Sequence, residues 1–139
     1  MRLMVRSLAV ATAAALACVP SFAAGASGVS VIGTWTGEMR QIDPDRESSY
    51  PMTLTIAPKG GKGTTSYPSL NCKGTLTRIT ETKSGYAIYQ EKISNGPDAH
   101  CIDGLVLVTA DGGKLVLGWF ATFEGAPSLA SALLTPAAK

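Results

Sequence analysis

Glu91 is the residue with the most chemical promise in this chain. In the segment Tyr86 to Ile93 it alternates onto one face with Tyr89 and Ile93, so its carboxylate is expected to be partly buried and in need of a partner. Arg78 or a ring of backbone donors would serve. Glu38, Asp103 and Glu124 also fall in or beside strand-like segments, and two facing acids could hydrolyse a glycoside. Strand carboxylates more commonly face solvent beside lysine or threonine, which leaves the hydrolase as an alternative.

Other catalytic constellations are poorly supplied. His100 is the single histidine, and it sits beside Cys101 in a turn. Any Ser-His-Asp or Cys-His arrangement would have to be built on it. Two paired cysteines and one histidine do not make a tetrahedral metal set. No metal and no cofactor is called for, and no catalytic residue is assigned. The glycine runs at Gly60–Gly61 and Gly112–Gly113 lack the strand-to-helix setting of a phosphate loop. Aromatic residues are better placed for binding. Trp35, Tyr67, Tyr89 and Trp119, together with Glu91, are the candidate ligand-binding set; the same side chains would also serve to fill a core.

The elements that must position these residues begin after a leader. Arg2 and Arg6 precede an apolar run, Leu8 to Val19, and Ser21-Phe22-Ala23 offers small residues for cleavage. Residues 1–23 are therefore read as a signal peptide cleaved near Ala23, and the protein as secreted or periplasmic. A lipoprotein acylated at Cys18 is the minor alternative. The apolar run is shorter than the roughly 20 residues of a membrane span. No later segment approaches that length, so no membrane span is expected.

Two of the twelve Lys and Arg lie in this leader, so ten basic residues then face ten acidic ones. Such a balance supplies no basic field for nucleic acid. Loss of Cys18 leaves Cys72 and Cys101 as an even pair in an oxidising compartment. Closing a loop of about 30 residues would stabilise the fold by roughly 3 to 4 kcal/mol on the chain-entropy model.

Residues 24–30 are small and flexible, a lead-in to one domain over 31–135, with 136–139 as a tail. Val31 to Arg40 reads as a strand around Trp35, Gly37 and Met39, and residues 43–49 as a polar connection. Met52, Leu54 and Ile56 alternate cleanly with Thr53 and Thr55. Lys59 to Gly63 turns the chain into a short strand ending at Tyr67. Cys72 to Thr80 follows, with a bulge expected between Leu76 and Ile79. Asn95-Gly96-Pro97-Asp98 and Asp111-Gly112-Gly113 are turn signals. Both faces of Leu115 to Phe123 read as partly buried. Ala126 to Leu134 fits a helix about as well as a strand, and a strand is preferred because the sheet needs its edge closed. The sum is an all-β meander of seven or eight antiparallel strands in an up-and-down barrel, with a β-sandwich as runner-up.

Two parts of the chain carry resemblances. Gly33-Thr34-Trp35 resembles the first-strand signature of the calycin barrels, meaning lipocalins, avidins and secreted metalloprotease inhibitors. The longer pattern runs through Trp35-Thr36-Gly37, Tyr67-Pro68, Leu70, Cys72 and Gly74-Thr75-Leu76, then Glu91, Cys101, Gly104, Leu115 and Trp119. It resembles a family of small exported bacterial β domains, also found attached to membrane-anchored serine/threonine kinases. The resemblance implies a disulfide-bonded module that binds a ligand or protein and implies no reaction. Export, the staple, neutrality and the lack of catalytic motifs make a non-enzymatic binding module the leading expectation. Its partner would be an unidentified protein or cell-envelope component, bound by a monomer, in an inhibitor-like manner as one form. A carrier of a small apolar ligand, in the calycin manner, is the alternative beside the hydrolase.

Overall fold

The structure is a computed structural model that describes residues 30–95 and 101–139. The expected leader, Cys18, most of the lead-in and His100 lie outside the described residues. Eight strands run in order, β1 (Gly33–Asp43), β2 (Arg46–Ile56), β3 (Lys62–Tyr67), β4 (Cys72–Glu81), β5 (Ala87–Ile93), β6 (Gly104–Asp111), β7 (Lys114–Phe123) and β8 (Ala126–Pro136). Each pairs antiparallel with its sequence neighbours, and β8 returns to β1 through pairs such as Trp35 with Pro136 and Ile42 with Leu129. The result is a closed up-and-down barrel. Closure leaves no unpaired edge, and the sandwich is not adopted.

Alternation carries the fold. Met52, Leu54 and Ile56 of β2 point inward, as do Leu115, Leu117 and Trp119 of β7 and Ala130, Ala132 and Leu134 of β8. Each large aliphatic side chain so buried contributes about 1.5 to 3 kcal/mol. The ambiguous segment Ala126 to Leu134 is strand because the period-two burial of β8 fills the space between β7 and β1. The bulge falls between Arg78 and Thr80, leaving Ile79 unpaired and exposed.

Two expectations need correction. Residues 43–49 are not a loop: Pro44 and Asp45 make a two-residue turn and pairing resumes at Asp43 with Arg46. The outer face of β7 is not buried either, for Val116 and Phe120 are exposed. A single closed sheet has one interior, and nothing among the described residues packs outside it. Leu105, Phe120, Leu129 and Ile42 thus form a row across the outside of β6, β7, β8 and β1.

The meander places alternate connections at opposite ends. One end carries the turns Ala57–Gly61, Thr82–Tyr86 and Gly112–Gly113, together with the chain at Val31 and Ala137. Gly112 and Gly113 both have positive φ, the conformation a two-residue hairpin demands. The other end carries Pro44–Asp45, the short helical turn Pro68–Leu70, the connection that includes Cys101, and Glu124–Gly125. Cys72 and Cys101 are bonded across this end with Cα atoms 6.3 Å apart, tying the β3–β4 link to the β5–β6 connection. The side chain of Asn95 reinforces that tie by accepting from the Lys73 amide and donating to the Asn71 carbonyl.

Candidate functional site

The two halves of the barrel interior differ in chemistry. Towards the end without the disulfide the core is apolar, closed by Trp35, whose indole donates to the Val31 carbonyl at 3.0 Å, and by Tyr89, whose hydroxyl donates to the Gly60 carbonyl at 2.7 Å. The buried polar side chains of the described residues, Thr65, Glu91 and Ser128, lie towards the disulfide end.

Glu91 is only 1% exposed. Its Oε1 accepts from the hydroxyls of Thr65 and Tyr67, the latter at 2.9 Å, and its Oε2 accepts from the Trp119 indole at 2.7 Å. These donors come from β3 and β7, on either side of β5. Arg78, the partner suggested by sequence, pairs instead with Glu81 on its own strand. Its backbone pairs with Tyr89, in the half of the barrel away from the disulfide, whereas neutral donors reach Glu91 from across the interior.

Two glycines make room for this cluster. A Cβ at Gly74 would come within 2.7 Å of Glu91 Oε1, and one at Gly104 within 2.5 Å of Trp119 Nε1. Gly104 is the β6 residue directly paired with Glu91, while Gly74 on β4 lies diagonal to it. The absent side chains are what allow a carboxylate and an indole to meet inside so narrow a barrel.

Burial pushes the Glu91 carboxyl above its ordinary value, more than the hydrogen bonds from Thr65, Tyr67 and Trp119 pull it down, and the charge of Asp103 adds to the rise. Burial and the neighbouring Glu91 charge push the Tyr67 hydroxyl up as well. Tyr50 meets the Tyr67 ring edge-on, with centroids 5.9 Å apart, and its own hydroxyl is pushed up to about 12 by burial, then by the charges of Glu91 and Asp43.

Tyr50 links this cluster to a second one. Its hydroxyl donates to Gln41 Oε1 at 2.5 Å, and the Gln41 amide donates to Asp43 at 2.9 Å and to Ser128 at 3.2 Å. Ser128 in turn donates to Asp43 at 2.5 Å, and Arg46 Nε donates to the other Asp43 oxygen at 3.2 Å. The hydrogen bonds from Ser128 and Gln41, with that from Arg46 and its charge, hold the Asp43 carboxyl below its ordinary value against a smaller effect of burial.

Between the clusters lies a cavity of about 60 Å³, bordered by Glu91, Tyr50, Tyr67, Trp119, Gln41 and Met39. Leu70, Ile93, Ile102 and Cys101 form its apolar lip. Beside it runs an open groove of about 520 Å³ along Asp43, Asp45, Arg46, Phe123 and Glu124, which shares Gln41 and Ile102 with the cavity.

Of the candidate residues, Tyr67, Glu91 and Trp119 are brought together, whereas Trp35 and Tyr89 are at the opposite end. Thr65, Gln41 and Tyr50 are neighbours the sequence reading did not select. Thr65 carries no signal of its own, standing between Thr64 and Ser66 in a short polar run. Gln41 stands two residues before Asp43 on β1, on the same face, and its contact with Ser128 becomes visible only once β8 pairs with β1. No group of three or more His, Cys, Asp or Glu side chains among the described residues is arranged to hold a metal. No helix among them is long and apolar enough to cross a membrane. The disulfide is compatible with an oxidising, exported setting. Compared with family models, curated proteins and solved structures, the chain matches none.

Proposed function

We propose that the protein is an exported, non-enzymatic binding module whose disulfide end recognises part of a protein or cell-envelope partner. The observation that carries this reading is the polar-lined cavity around a buried carboxylate with no cationic partner among the described residues. Burying a charge in this way costs several kcal/mol, and neutral hydrogen bonds offset it only in part. A perturbed acid in a cleft is a candidate functional group on physical grounds.

Volume favours contact with part of a larger partner. Pockets that enclose a whole small molecule usually measure about 300 to 1,000 Å³, several times the 60 Å³ present. An apolar-ligand carrier would be short of room and would bury its ligand against a carboxylate. A carboxylate hydrolase finds less support because, among the described residues, the side chains hydrogen-bonded to Glu91 are neutral and no second acid is among them. The likeness to small exported disulfide-bonded domains agrees with a binding role.

Immobilised protein is expected to retain a partner saturably from an envelope extract at micromolar concentration. Tyr50→Ala and Ile102→Asp, at the cavity wall and lip, should abolish retention, and Val116→Ser on the far outer face should not. Retention unaffected by both disulfide-end variants would place recognition elsewhere.

A further inference from the structure

Resting on the reading of the disulfide end as the docking end, we propose that the cavity takes one primary ammonium group, the tip of a lysine side chain presented by a basic segment of a protein partner. An ionised carboxylate has about four acceptor positions. Thr65 and Tyr67 occupy two on Glu91 Oε1, and Trp119 occupies one on Oε2. One position on Oε2 is left for a further donor. Ion pairs among the described residues join Arg46 to Asp43, Arg78 to Glu81 and Lys92 to Asp103, so none neutralises Glu91.

The walls suit a cation. Tyr50, Tyr67 and Trp119 border the cavity, and aromatic rings attract positive charge that approaches their faces. Gln41 Oε1, which accepts from Tyr50, retains a second lone pair on the same border. An anion would face the Glu91 carboxylate and find no cationic donor among the described residues that line the cavity. Size then chooses among cations. About 60 Å³ is the room of roughly two waters, which fits a compact ammonium better than the broad plane of a guanidinium.

The surroundings select a lysine over a free amine. The lip of Leu70, Ile93 and Ile102 is apolar and would cover the methylene stem of a lysine whose charged tip lies inside. Outside the lip, the charged residues that line the groove among the described residues are Asp43, Asp45 and Glu124 against Arg46, itself paired with Asp43. That excess of negative charge complements a basic polypeptide running along the groove.

The test uses the mature protein labelled with ¹⁵N and the indole N–H resonance of Trp119 as reporter. N-acetyl-lysine methylamide is expected to shift this resonance saturably. N-acetyl-norleucine methylamide, which has the stem without the charge, and methylammonium, which has the charge without the stem, should each bind at least about tenfold more weakly. Glu91→Gln should lose the preference for lysine over norleucine. Tyr50→Leu, which removes an aromatic wall while leaving Glu91 in place, should weaken lysine binding several-fold and keeps the test open if Glu91→Gln does not fold.

Norleucine binding as tightly as lysine would overturn the cation while leaving the end a binding site. Methylammonium binding as tightly as lysine would overturn the polypeptide source. If no probe shifted any resonance around the cavity, the docking-end reading would fall together with the cation.

Discussion

Glu91 ties stability to pH in a direction opposite to that of an ordinary surface acid. Its carboxyl titrates above its ordinary 4.5 in the folded barrel, so between that value and the folded one the native state holds a proton that the unfolded chain has lost. Stability is then expected to fall as pH rises through this window, with a slope no steeper than about 1.4 kcal/mol per pH unit for one proton. Asp43 acts in the other sense and lower on the scale: its carboxyl is held below 3.8, so its contribution is present above that value and lost as pH falls below it. Denaturant unfolding at a series of pH values should show the falling limb in the wild type and a flat one in Glu91→Gln; equal slopes would mean that Glu91 is not buried as described.

The glycine at position 104 is a second residue with a sharp consequence. An added methyl would press on both the Trp119 indole and the Phe120 carbonyl, which lies 2.9 Å from the ideal Cβ position. Gly104→Ala is expected to cost about 1 to 3 kcal/mol, as overpacking does, and to shift Trp119 fluorescence as the indole leaves Glu91. Unchanged stability with unchanged emission would contradict the close approach. Much of this cluster was legible beforehand: alternation put Glu91 on one face with Tyr89 and Ile93 and so partly buried, short of the near-complete burial observed, and Tyr67 and Trp119 stood out as large aromatics. Thr65 was not, because its hydroxyl matters only where β3 and β5 bring it against the carboxylate across β4, through a position that Gly74 leaves empty.

At the scale of elements, the mouth of the cavity depends on the two connections that the disulfide joins. Cys72 and Cys101 are separated by 29 residues, and releasing such a loop should lower stability by about 3 to 4 kcal/mol. Replacing both by serine is expected to reduce the unfolding midpoint accordingly. It should also loosen the lip formed by Leu70, Cys101 and Ile102, so lysine binding should weaken even at temperatures where the barrel remains folded. Full stability in the double variant would contradict the staple. The pairing was readable from cysteine arithmetic once Cys18 is assigned to a leader. The turn at Pro44 and Asp45 was less so: the polar residues 46–49 resemble a loop in composition, yet β-pairing with β1 extends through them because their side chains lie near or outside the barrel mouth.

For the molecule as a whole, strand periodicity and turn signals were sufficient to foresee an up-and-down barrel, while the division of its interior was not visible. Alternation marks which side chains point inward; it does not say which of them share a level. Levels follow from the register of neighbouring strands, which sets Tyr67, Glu91 and Trp119 together and sends Trp35 and Tyr89 to the other end. Outside, the apolar row of Leu105, Phe120, Leu129 and Ile42 offers a competing surface; it belongs to the disulfide half of the barrel but faces outward from the flank and does not line the cavity. Amide chemical-shift mapping with the retained partner therefore separates the two surfaces. Binding at the disulfide end should move the resonances of Gln41, Tyr50, Leu70, Glu91, Ile102 and the Trp119 indole; shifts confined to Leu105, Val116, Phe120, Leu129 and Leu133 would contradict it.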